Sequence, residues 1–144
     1  MCVSTFIAGL FIFHSINMKF FTPLLWIQST YTFLTAVWPL VHIESFMAVT
    51  GYKTDIWLVK TVGALLIPIA LCMFVHLFIR TDRRPVMILG GATALAFICI
   101  DFYYALNDVI SDIYMADGAV EAVFLLAWIY IAFSMVNKKS TSRR

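Results

Sequence analysis

The sequence predicts an all-α protein, an up-down four-helix transmembrane bundle, and three observations predict it. Hydrophobic residues fill 62% of the 144 positions and charged residues 12%, where a soluble domain carries about 25% charged residues; the mean hydropathy is +0.93. Four apolar stretches, 20–41, 57–79, 86–105 and 117–136, each reach the roughly 20 residues that cross a hydrocarbon core of about 30 Å. The connections of 15, 6 and 11 residues are short enough to make consecutive spans antiparallel neighbours. Lipid offers backbone N–H and C=O groups no partner, so each span has to be helical.

Residues 1–17, MCVSTFIAGLFIFHSIN, hold a 12-residue apolar run that is too short to span and lacks the basic start and small-residue cleavage pattern of a signal peptide. They read as an N-terminal extension, either an over-extended frame with Met18-Lys19 as the better start or an interfacial helix. The transmembrane domain is 18–136, and 137–144 is a basic tail.

The first span carries Gln28, Ser29, Thr30, Thr32 and Thr35, a polar face suited to interhelical hydrogen bonds or to a conduit. After a turn at Gly51, Thr54 or Asp55 is placed to cap the second span. Pro39 and Pro68 each remove a helix hydrogen bond, and Pro68, which frees the carbonyl of Ala64, is expected to kink the second span. Arg83-Arg84-Pro85 separates the second span from the third. Small residues four apart, Gly90 with Ala94, Ala92 with Ala96 and Gly118 with Ala122, are expected to let the third and fourth spans approach closely. Trp38, Trp57, Tyr103 and Tyr104 fall near one interface and Trp26 near the other, where amphipathic rings settle.

Eight basic residues (Lys19, Arg80, Arg83, Arg84, Lys138, Lys139, Arg143, Arg144) fall on one side and only Lys53 and Lys60 on the other. By the positive-inside rule both termini and the RTDRRP loop are cytoplasmic. Of the acids only Asp82 is inside. Glu44, Asp55, Asp101, Asp108, Asp112, Asp117 and Glu121 give the outer end a net charge of −5.

Several classes fall away. A net charge of +2 gives no basic surface for nucleic acid. Cys2, Cys72 and Cys99 lack CxxC or metal spacing, which argues against the four-helix thiol oxidoreductases, whose disulfide exchange needs paired, exposed cysteines. There is no phosphate-cradling glycine loop, nucleophile elbow or HExxH pattern. No cofactor and no metal is expected, because Asn107, Asp108, Asp112 and Asp117 match no calcium-loop spacing. A span-by-span reading puts no charge near the midplane, which counts against a small proton-coupled exporter.

The candidate site is a polar cluster at the outer end. With the spans as drawn, His42 closes the first, Lys60 lies one turn into the second, Asp101 one turn inside the third and Glu121 one turn into the fourth, all within a layer about 6 Å deep. Glu44, Lys53, Asp55, Asn107, Asp108 and Asp117 are secondary candidates around it. Ionisable groups at such depth face the bundle interior or a wet cavity and pair with one another. The cluster is therefore either an ion-pair network that ties the helices together or a pocket open to the outside. In the pocket, Glu121 or Asp101 would accept a proton, and His42 or Lys60 would exchange it or stabilise charge.

Gln28 and Tyr31, then WPLVHIESFMAVTGYKTDIWLVKTVG, then IDFYYALNDVISDIYMADGAVEA resemble a group of small bacterial four-helix integral membrane proteins without an established activity. The likeness covers most of 18–136 and is sharpest in the VTGxKTDxWLV segment. It implies a bacterial inner (plasma) membrane protein, and its pattern centres on His42, Lys53, Asp55, Lys60, Asp101 and Glu121. The 17-residue leader departs from it. Four helices with His and acids at one end are also similar in plan to EXPERA-type sterol isomerases and DoxX-like proteins, a likeness that carries no catalytic role.

The expected function is a non-enzymatic, multi-pass membrane component binding a lipid or lipophilic ligand, or a membrane protein partner or second copy, through the cluster. The alternatives are a small membrane enzyme working by carboxylate and His proton transfer on a lipophilic substrate, and, third, a small transporter.

Overall fold

The computed structural model describes the backbone of residues 2–79 and 82–141 and the side chains of 20–79 and 82–135. It is all-α, with helices α1 (Cys2–Val41), α2 (Ile43–Thr50), α3 (Ile56–Phe78), α4 (Arg84–Leu106) and α5 (Ile113–Thr141). Four segments are long and apolar enough to cross a membrane: Phe20–Val41, Ile56–Phe78, Arg84–Leu106 and Ile113–Met135. The chain is a multi-pass membrane protein. One end of the bundle, the acidic end, carries α2 and the 107–112 loop; the other, the basic end, carries the connection between α3 and α4.

Two boundaries move from their expected places. α4 starts at Arg84 with Pro85 in its first turn, where a missing N–H costs nothing, and Asp82 accepts from the Arg84 N–H at 3.2 Å. α5 starts at Ile113, four residues before the expected 117, because the Tyr114 and Met115 amides already bond to the Ser111 and Asp112 carbonyls. That shift lowers Asp117 and Glu121 by one full turn into the bundle.

The 38–63 hairpin contains a short helix, α2, within the connection expected between the first two spans. His42 breaks α1 and caps α2, its Nδ1 accepting from the Ser45 N–H at 3.1 Å. Gly51, at φ +87°, ends α2 in a conformation that costs a Cβ-bearing residue dearly. Phe46 and Thr50, one turn apart, are buried, and the Trp38 indole N–H donates to Ser45 Oγ at 2.9 Å, so α2 folds back over the end of α1. Asp55 occupies the N-cap position of α3 without a side-chain cap bond; its carboxylate instead accepts from the Thr54 hydroxyl at 3.4 Å.

Packing is most extensive within two antiparallel pairs, α1 on α3 and α4 on α5. At Gly63 a Cβ would lie 2.6 Å from the Ala36 carbonyl oxygen, so this glycine lets α3 touch the α1 backbone. α3 continues through Pro68. Gly90, Ala94 and Gly118 are buried as expected, whereas Ala92 and Ala96 are exposed, because they lie on the opposite side of α4 from its buried stripe of Val86, Gly90, Thr93, Ala94 and Asp101. Near the basic end the two pairs meet in a core of Phe21, Leu25, Met73, Val86, Trp128 and Ile131. Cys72 and Cys99 are free and exposed on the bundle surface.

Candidate functional site

The interior between α1, α4 and α5 holds a column of polar side chains that begins at the acidic end. Asp101 on α4 and Glu121 on α5 are each only 2% exposed. Asp101 lies within hydrogen-bond reach of Asp117, and Glu121 is close enough to feel the charge of both. Gly118 makes this approach possible: a Cβ there would stand 3.0 Å from the Phe102 ring and 3.4 Å from the Asp101 Cβ. From α1, the Tyr31 hydroxyl donates a hydrogen bond to Asp117 Oδ1, and its ring meets Phe124 edge-on at 5.7 Å.

Asp117 has Tyr31 as its partner, but the other two acids each keep an orphaned oxygen. Asp101 Oδ2, Glu121 Oε2 and the Thr32 hydroxyl are buried and have no hydrogen-bond partner. Buried oxygens of this kind cost free energy until something satisfies them. The buried polar side chains among the described residues are Gln28, Ser29, Thr32, Thr50, Thr93, Asp101 and Glu121; no base is among them. Two carboxyls within hydrogen-bond reach have only acceptors to offer when both are ionised, so a proton or another cation has to come between them. Among the described residues no group of His, Cys, Asp and Glu has the arrangement that holds a metal ion.

Deeper in, the column is closed by a fully satisfied node. Gln28 Nε2 donates to the Gly90 carbonyl at 3.0 Å, and Gln28 Oε1 accepts from the Trp128 indole N–H at 2.6 Å. One side chain of α1 thus ties α4 to α5. Glu121 lies eight residues from the start of α5, about 12 Å along the helix. The helix start expected at 117 placed it one turn nearer the acidic end.

At the mouth, Lys53 is half-buried. Its Nζ donates to the Thr50 carbonyl at 3.1 Å and stands 4.8 Å from the centre of the Tyr114 ring. Burial pushes the pKa of this ammonium below its ordinary value. Lys53 roofs the column without reaching into it.

The expected constellation divides. Asp101 and Glu121 come together and Asp117, a secondary candidate, joins them. His42 and Lys60 are exposed: His42 serves as the α2 cap, and Lys60 is on the outer surface of α3, from which a long side chain can carry its ammonium toward the interface. Glu44, Asp55, Asn107 and Asp108 are also exposed; Asn107 donates to the Tyr103 carbonyl at 2.6 Å, and Asp108 adopts a left-handed turn conformation. The expected layer failed because depth alone does not fix which way a side chain points. Tyr31, Phe124 and Trp128 join the site beyond the expected residues. The signal was the stripe Gln28, Tyr31, Thr32 and Thr35, spaced as one helix face, which is opposite the exposed Thr30. Comparison with family models, curated proteins and solved structures finds no match to this chain, so the site stands on its own chemistry.

Proposed function

We propose that this protein is a non-enzymatic component of a bacterial inner membrane that binds a lipophilic ligand bearing a positively charged head. The acidic end faces outward and both termini lie in the cytoplasm. The observation that carries the reading is the pair of orphaned, buried carboxyl oxygens on Asp101 and Glu121 in a site whose buried side chains include no base. An ammonium or guanidinium head supplies the missing charge and donors together, while the Tyr31 and Phe124 rings offer it an aromatic wall. Its apolar body stays in the hydrocarbon.

The test is thermal melting of the full chain in detergent with a long-chain alkylammonium and with the uncharged alcohol of equal chain length. The ammonium is expected to raise stability by about 2.7 kcal/mol at 100 times its Kd, the alcohol to do nothing comparable, and Asp101→Asn with Glu121→Gln to abolish the difference. Equal shifts from both amphiphiles would refute the charged-head reading. Orientation has its own check. A cysteine at Tyr52, which is 84% exposed, should label from outside intact cells and one at Thr141 should not; the reverse pattern contradicts the assigned topology.

One observation favours a second reading. Glu121 is buried about 12 Å inside α5, within a polar column. That is where a small transporter needs a carboxylate for which proton and cationic substrate compete.

A further inference from the structure

A groove of about 740 Å³ runs along the outside of the bundle between α4 and α5. It is independent of the acidic column, separated from it by Trp128, whose ring forms part of the groove wall while its N–H serves Gln28 on the other side. The lining runs from Arg84 to Leu95 on α4 and from Leu125 to Met135 on α5. Leu95 is the middle residue of the Arg84–Leu106 span, and Leu125 lies 12 residues into α5. The groove is therefore about 16 Å long, half the thickness of a hydrocarbon core of about 30 Å, and it is confined to the half of the bundle at the basic end.

That length discriminates between occupants. A transmembrane helix from a second copy would pack along the full span, whereas an acyl chain of one leaflet fills this half alone. Gly91 and Ala132, small residues on the two walls, leave the width a chain needs. Arg84 stands exposed at the mouth of the groove, at the basic end of α4. Asp82 is nearby but accepts from the Arg84 backbone N–H.

We infer that this groove holds one acyl chain of an anionic phospholipid from the leaflet at the basic end, with the lipid phosphate on Arg84. An arginine near a membrane surface contributes enough attraction for about a fivefold preference over a neutral headgroup.

The experiment is native mass spectrometry of the full chain in detergent, titrated with phosphatidylglycerol or phosphatidylcholine of identical acyl chains. Wild type is expected to retain one phosphatidylglycerol about five times more tightly than phosphatidylcholine. Arg84→Gln should bind both at the weaker level. Gly91→Leu should lose the bound lipid, since a Cβ at Gly91 meets nothing closer than 3.9 Å and the remaining side chain fills the groove. Ala132→Leu blocks it from the other wall, and unchanged melting of either filled variant separates blockage from misfolding. Equal retention of the two lipids by wild type overturns the inference, as does tight phosphatidylglycerol binding by a folded, filled variant. A wild-type dimer that the filled variants dissolve would assign the groove to a second copy and overturn it too.

Discussion

Gly90→Ala is expected to destabilise the bundle by about 2 to 4 kcal/mol, the sum of overpacking and damage to buried hydrogen bonds. The new Cβ would stand 2.7 Å from the Trp128 indole nitrogen and 2.9 Å from Gln28 Oε1. Neither neighbour can yield cheaply. The indole is held in the core against Phe21 at 5.7 Å, and the Gln28 amide is fixed at both ends, by the Gly90 carbonyl and the Trp128 N–H. Pushing them apart opens the Gln28 node that joins α1, α4 and α5. The adjacent Gly91→Ala is the control: its Cβ has ordinary contacts, and the better helix propensity of alanine leaves the protein unchanged to about 1 kcal/mol more stable. Equilibrium unfolding of both variants in mixed micelles checks the pair. Equal effects at the two positions would mean that the node is not packed as described.

The contrast between these neighbouring glycines shows what a single sequence carries. The four spans, the two ends and the polar stripe of α1 were legible because hydropathy and charge placement are local properties. So was the involvement of Asp101 and Glu121, since acids within an apolar helix have few places to go. Which glycine faces a partner was not legible, because it depends on the rotation of α4 against α5. His42 and Lys60 misled for the same reason: they lie at the right depth but point elsewhere. α2 escaped notice because eight residues are too few for hydropathy to mark. Its caps at His42 and Gly51 equally suit the end of one span and a turn before the next. The late start assigned to the last helix had the largest consequence. It put Glu121 one turn too near the acidic end.

Glu121→Gln is expected to leave the ligand-free protein as stable as wild type, or about 1 to 3 kcal/mol more stable, while removing ligand retention. A structural ion pair behaves in the opposite way, since taking away one partner strands the other. Here Glu121 Oε2 has no partner to strand, and the amide removes a charge that would otherwise be buried beside Asp101 and Asp117. A stability gain at the cost of function marks a residue held in an unfavourable setting for binding.

The most direct measurement is therefore native mass spectrometry of the full chain gently extracted from its membrane, comparing wild type with Glu121→Gln and recording the unfolding free energy of each after ligand removal. The predicted result is a defined cationic adduct on wild type that is lost in the variant, with the variant's ligand-free stability equal or higher. Absence of an adduct from both proteins, with the variant less stable by about 1 to 3 kcal/mol, would contradict the binding site and make the acidic column a structural tie between helices.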